Sequence, residues 1–297
     1  MFSTEQYVAK KFEFSISGKA TKEDAAEFKR YANTHDLVLN YARGWDGSIV
    51  DFIEAFKGVE IRHLSVFARP SLDIDVDITP LNTLSTLSKL SVAGQVVGQL
   101  NLDNLPLLAS FGFGGELKGK RKVKLDWGKC LNLQSTGGLV SKLPSADTLA
   151  TFPKLNSLVL VKLNWKPEEL QKITGLVDLN VSYWSELESL AQLGTLIPSL
   201  KKLQLYQASK LLDYSAIARM TSLKTLGLSK CPAIPSVRLF QNLQQLEELW
   251  LPETKIVDGD LSALMLMPSL RHIALIDQKK NHPSRTEIES FLSKRHN

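Results

Sequence analysis

The chain has 297 residues, 43% of them hydrophobic and 23% charged, with a formal net charge of +5. That composition predicts a folded, soluble protein with a large core. No stretch approaches the roughly 18 consecutive apolar residues of a spanning helix, and the opening MFSTEQYVAKKFEF lacks the apolar core of a secretory signal, so the cytoplasm is the expected compartment.

Two cysteines, Cys130 and Cys231, lie far apart without a CxxC partner, which argues against a disulfide framework and against a thiolate zinc site. The positive excess is local. Lys118, Lys120, Arg121, Lys122, Lys124 and Lys129 stand within one short segment beside a single acid, Asp126, and outside it 30 basic residues meet 30 acidic ones.

In chain order, KFEFSIS alternates Phe12, Phe14 and Ile16 as a strand does, and TKEDAAEFKRYA opens with the capping-box pair Thr21 and Asp24. Residues 1–34 are therefore expected to form a strand-helix cap. Loose copies of a Leu-x-x-Leu-x-Leu pattern come next at IRHLSV (61–66), LSKLSV (87–92) and LASFGF (108–113), with weaker fits near Leu37 and Leu131. LDIDVDI (72–78) puts Asp73, Asp75 and Asp77 on one face of an extended segment. Side chains two apart on a strand are ~6.5 to 7 Å apart, too far for three carboxylates to close on one cation, so a solvated convex strand is expected.

GFGGELKGKR (112–121) imitates a phosphate-binding loop, but Arg121 stands where a metal-binding Ser or Thr belongs. Such a loop also needs a helix behind it. The segment KRKVKLDW (120–127) instead alternates Val123, Leu125 and Trp127 against Lys122, Lys124 and Asp126, the pattern of a strand or projecting hairpin. Residues 116–151 are too long for one repeat and too short for two, and are expected to hold an irregular insertion.

Beyond them the pattern becomes regular: LNSLVL, LVDLNV, LKKLQL, LKTLGL, LEELWL and LRHIAL, whose central apolar residues Leu158, Leu179, Leu203, Leu226, Leu249 and Ile273 are 21, 24, 23, 23 and 24 positions apart. Pro106, Pro153, Pro198 and Pro268 mark the corners that lead into strands. After Pro283, Ile288, Phe291 and Leu292 make one helical face, a C-terminal helical cap over residues 279–297.

These motifs resemble the leucine-rich repeat family over residues 35–278. The resemblance implies an α/β solenoid, a horseshoe of about ten to eleven irregular repeats in one domain, with parallel strands on the concave face and helices or irregular segments on the convex face. The chain departs from the family where Asn or Cys usually closes each turn. Here Leu163, Trp184, Ala208, Cys231, Thr254 and Gln278 stand there, and only Cys231 conforms, so the turn backbone is expected to find other partners.

No constellation for catalysis is visible. His35, His63, His272, His282 and His296 show no metal-like spacing, and no Gly-x-Ser-x-Gly elbow occurs. The expectation is a non-catalytic chain without cofactor, metal or small-molecule substrate. Strand alternation puts Asp178, Asn180, Lys202, Gln204, Tyr206, Glu248, Trp250 and His272 on the concave wall, with Tyr183 and Glu253 beside it. Their mixture of aromatic, amide and both charges suits a protein partner better than a phosphate backbone.

A compact chain of this kind is similar to bacterial immunity proteins that bind and neutralise a toxin. The alternatives are an adaptor or regulatory subunit of a larger assembly, and a nucleic-acid binder using the secondary basic patch Lys118, Lys120, Arg121, Lys122 and Lys124.

Overall fold

The computed structural model describes residues 12–68, 75–115, 123–139 and 144–296. They fall into two compact units, the first running to Pro144 and including Thr151–Lys154, the second formed by Ser145–Ala150 and Leu155–Asn297.

The first unit contains, in order, β1 (Phe12–Ile16), α1 (Lys22–Tyr31), β2 (His35–Asn40), α2 (Ile49–Ala55), β3 (His63–Phe67), β4 (Val76–Asp77), β5 (Lys89–Gly94), β6 (Val96–Asn101), β7 (Ser110–Gly115), β8 (Val123–Asp126) and β9 (Ser135–Leu139). Helix α1 starts at the expected capping box: the Asp24 amide donates to Thr21 Oγ1 at 3.1 Å, and the Thr21 amide donates to Asp24 Oδ2 at 2.8 Å. Such a cap contributes about 1 kcal/mol.

Strands β1, β2, β3, β5, β7 and β9 succeed one another in a parallel sheet whose register aligns Leu37, Leu64, Leu90, Phe111 and Thr136. This row is the core ladder, all of it buried. Its last member corrects the reading near Leu131: the strand lies later, at β9, and a threonine takes the leucine's place. The Thr136 hydroxyl is buried with no hydrogen-bond partner.

Strands β4, β6 and β8 build a second, three-stranded parallel sheet. The VKLD strand is therefore present as its alternation predicts, but it runs parallel to β6 and is not half of a hairpin. The described part of LDIDVDI is extended at β4, while Asp73 lies outside the described residues. β6 leaves β5 through Gly94 at φ 90°, where an added Cβ would lie 1.8 Å from the Ala68 carbonyl oxygen, so only glycine fits this corner. Asn82 ties the sheet to its turns, donating from Nδ2 to the carbonyls of Thr79 and Gln99 and accepting at Oδ1 from the Asn101 amide.

The second unit comprises α3 (Ala146–Ala150), β10 (Ser157–Val161), β11 (Asp178–Ser182), α4 (Leu190–Leu196), β12 (Lys202–Tyr206), β13 (Thr225–Ser229), β14 (Glu248–Leu251), α5 (Ser262–Met265), β15 (His272–Leu275) and α6 (Arg285–His296). Strands β10 to β15 pair in parallel, and Leu158, Leu179, Leu203, Leu226, Leu249 and Ile273 stack as the motif predicts. Each fully buried leucine contributes roughly 1.5 to 3 kcal/mol. The return segments include short 3-10 helices at Pro167–Lys172, Ser215–Arg219 and Val237–Phe240 where the apolar spacing suggests longer helices.

Two of the missing asparagines have polar replacements. Thr254 Oγ1 donates to the Leu228 carbonyl at 2.7 Å and accepts from the Cys231 amide at 3.0 Å, while Trp184 Nε1 donates to the Trp165 carbonyl at 2.8 Å. Burial pushes the Cys231 thiol up to about 11, which leaves it protonated and inert at neutral pH. At the far end α6 buries Ile288 and Leu292, and Arg295 donates to the carbonyls of Met265, Met267 and Leu270. Among the described residues no helix is long and apolar enough to cross a membrane.

Candidate protein-binding surface

Alternation along a strand decides which side chains leave the core. In β11 the leucine and valine at 179 and 181 are buried, so Asp178, Asn180 and Ser182 take the open face, and the same parity puts Lys202, Gln204 and Tyr206 there on β12. Glu248 and Trp250 on β14 and His272 on β15 continue the rows. Tyr183 and Glu253 sit at the corners that end β11 and β14.

These corners share a conformation. Lys162, Tyr183, Gln207, Lys230 and Glu253 all have φ between 51° and 60°, the left-handed region, although none is glycine. Each such residue costs about 1 kcal/mol or more. A main-chain bond compensates: Lys162 N–H donates to Ser182 O, Tyr183 N–H to Tyr206 O, Gln207 N–H to Ser229 O and Lys230 N–H to Pro252 O, at 2.8 to 3.1 Å. The corner also turns residue 183 outward and Trp184 into the core, so Tyr183 is 42% exposed.

Two outward rings meet at the corners, one of them half-buried. Tyr183 meets Tyr206 edge-on at 5.5 Å between centroids, Lys230 Nζ lies 5.4 Å from the centre of the Tyr206 ring, and the same ammonium pairs with Glu253 at 3.4 Å. The Tyr206 hydroxyl, with Glu253 next in effect, raises the Lys230 pKa and keeps it a cation. Trp250 is 39% exposed, and its Nε1 donates to Glu248 Oε2 at 3.2 Å, which fixes the ring on the open face. Asn180 Nδ2 donates to Gln204 Oε1 at 3.1 Å.

Asp178 differs from its neighbours. One carboxylate oxygen, Oδ1, is buried without a hydrogen-bond partner, and Lys202 Nζ stands 4.0 Å from the other. Burial raises its pKa, opposed by Lys202 and Ser157.

The corresponding row in the first unit holds a tighter network that the sequence pattern alone does not single out. Asp36 Oδ1 lies 2.7 Å from His63 Nδ1, and Lys89 Nζ donates to Asp36 Oδ2 at 3.1 Å. Burial pushes the Asp36 pKa up, but the His63 bond and Lys89 outweigh it and the net shift is downward. Extending the open-face columns back to the copies at 61–66 and 87–92 finds these residues. Lys230 escapes the strand columns because it belongs to a corner.

Of the basic patch, Lys124 is exposed on β8 in the second sheet, and Lys118, Lys120, Arg121 and Lys122 lie outside the described residues. Among the described residues no group of three or more His, Cys, Asp and Glu is placed to hold a metal.

Repeated strand, corner and return, with one buried ladder per unit, define a stacked-repeat protein. The fold is that of the leucine-rich repeat proteins. The chain is similar in structure to an internalin, InlF, from Listeria monocytogenes, with a TM-score of 0.50 and 16% identity over 92% of this chain and 87% of that one. It is also similar to the Toll-like receptor TLR13, solved in complex with the single-stranded RNA ssRNA13, with a TM-score of 0.53 and 21% identity over 84% of this chain and 37% of that one. In sequence, no protein-family model and no curated protein matches the chain. Leucine-rich repeat folds are in general interaction scaffolds that carry no catalytic centre of their own.

Proposed function

We propose that this chain is a non-catalytic, cytoplasmic binding module, acting as one solenoid domain, that grips a protein partner on the open face and corners of β11 to β15. The observation that carries the reading is the edge-on pair of Tyr183 and half-buried Tyr206 beside Lys230, with the exposed Trp250 held by Glu248 two strands further along the same face. Large rings held by fixed contacts lose little entropy on docking, and burying one contributes roughly 2 kcal/mol or more to an interface. Asp178, Asn180, Lys202, Gln204 and His272 supply the polar surround. The sharper form of the proposal is an immunity protein that neutralises a toxin; an adaptor in a larger assembly would use the same surface.

The test is affinity capture of the tagged chain from its native cells at low and high salt, with half the sample nuclease-treated, beside a Tyr206→Ala plus Trp250→Ala variant. One stoichiometric protein that survives high salt and is lost with the variant supports the reading, and its identity separates toxin from assembly partner. Nucleic acid recovered only at low salt, and unaffected by the variant, sinks it. About five phosphate contacts from the basic segment would give a log-log salt slope near −4.5, a loss of roughly 500-fold from ~50 to ~200 mM.

A further inference from the structure

We propose that the partner of the second unit presents an acidic protein segment, and that the lysines on the strand corners from β10 to β15 receive it. The inference rests on the reading of this side of the repeats as a protein-binding surface and adds the chemistry of what docks there.

Charge in the second unit is divided between the two sides of the repeat. On the return side the carboxylates hold donors that belong to the fold. Asp213 Oδ1 accepts from the Ser215 amide at 2.9 Å and Asp260 Oδ1 from the Ser262 amide at 3.0 Å, so each closes the turn ahead of the helix that follows it. Asp147 and Glu169 share Lys172, Glu168 Oε1 accepts from Gln192 Nε2, and Asp260 also pairs with Arg238. The scaffold accounts for these acids.

The corner side is the reverse. Lys162, Lys166, Lys210, Lys255 and Lys279 stand on the segments that leave β10, β12, β14 and β15; all five are exposed, and their ammonium groups make no ion pair or hydrogen bond among the described residues. The acids of these segments are fewer: Glu186, Glu188 and Asp277 hold no cation, and Glu253 is taken by Lys230. Neighbouring strands lie ~4.8 Å apart, so the corner row crosses roughly 24 Å, the reach of about seven extended residues. Cations left without an internal partner along such a row set up a positive field that draws in and orients an anionic ligand.

The rings on the same row select protein over nucleic acid. Lys230 lies over the Tyr206 ring and Tyr183 meets that ring edge-on, an arrangement that denies successive bases a clear pair of stacking faces. Glu186, Glu253 and Asp277 interrupt the row, which breaks a continuous phosphate track but leaves room for spaced carboxylates.

A fluorescein-labelled peptide of about twelve residues, alternating Glu and Ser, is titrated with the full chain and read by anisotropy at ~50 and ~200 mM salt, beside a Lys-Ser peptide and an oligothymidylate of equal length. The acidic peptide is expected to bind at about 100 μM or tighter in low salt and to weaken as salt rises, while the Lys-Ser peptide does not bind. Lys162→Glu plus Lys210→Glu should cost about ten-fold in affinity. Arg219→Glu plus Lys294→Glu makes the same change in net charge on the return side and on α6, at exposed positions, and should leave binding within about two-fold.

No binding of the acidic peptide, equal losses in the two variants, or binding that survives Lys162→Glu plus Lys210→Glu overturns the proposal. Tighter binding of the oligothymidylate, lost with that same variant, overturns it in favour of nucleic acid. The peptide titration is read apart from partner capture. A protein captured through Tyr206 and Trp250 by a chain that ignores the acidic peptide sinks this inference and leaves the proposed function standing, whereas capture of nucleic acid alone sinks both.

Discussion

Asp36 in the first unit and Asp178 in the second occupy the same column of the repeat, immediately before a ladder leucine, yet their settings are opposite. Asp36 is satisfied on both oxygens by His63 and Lys89, whereas Asp178 keeps one buried oxygen without a partner and a lysine at 4.0 Å from the other. The same contrast runs through the units. The first has a second sheet, a ladder ending in Thr136 and an open face where small residues such as Ser65, Ser91 and Gly112 stand beside the exposed Phe67; the second has a uniform aliphatic ladder, with Trp250 on its open face and Tyr183 at a corner.

The strongest way to break this comparison is to remove the regularity. Leu203→Ala empties a fully buried ladder site in the second unit and is expected to cost about 3 kcal/mol in urea unfolding. A loss below about 1 kcal/mol would mean the ladder collapses around the gap and packs no tighter than a loop. The first unit offers the converse change: Thr136→Val keeps the shape and deletes a buried hydroxyl without a partner, so a gain of about 1 kcal/mol is expected, and a loss would place an unseen partner at that oxygen.

The aspartates sharpen the comparison through pH. Asp36 has a lowered folded pKa, so its charge contributes stability that is fully present above the ordinary carboxylate value of 3.8 and is lost as pH falls through the folded value. Asn at this position should destabilise at pH 7, and the difference from the parent should shrink in acid. Asp178 has a raised folded pKa, so stability falls as pH rises through it. Asp178→Asn should therefore unfold at higher urea than the parent at pH 7, with the advantage fading as pH falls. Parallel shifts of the two variants at pH 7 would erase the distinction.

The smallest expected effect lies at a corner. Gln207→Gly relieves the left-handed backbone but frees the unfolded chain, leaving a net gain of a few tenths of a kcal/mol by thermal unfolding.

The second unit's strands were legible because every Leu-x-x-Leu-x-Leu copy landed in register, from Leu158 to Ile273. The first unit blurred where phenylalanine or threonine replaced leucine: the ladder position at Thr136 carries no apolar signal, and β6, read as VVGQLN, has too little alternation to announce a strand. The corners were invisible because sequence marks left-handed backbone by glycine, and here five other residues adopt that conformation, four of them with a main-chain bond to the neighbouring repeat. Within the candidate surface, the strand columns could be read in advance, while the outward turn of Tyr183 and the placement of Lys230 over Tyr206 depended on those corners.

The corner column has an evolutionary consequence. Lysine, tyrosine, glutamine, lysine and glutamate occupy equivalent backbone, and at the first four a bond to the neighbouring repeat supports the bend whatever the residue that makes it. A position whose geometry is supported from outside can drift in chemistry while the folding cost stays nearly constant, and four such positions side by side form a surface on which new specificities can be tried while the scaffold stays the same.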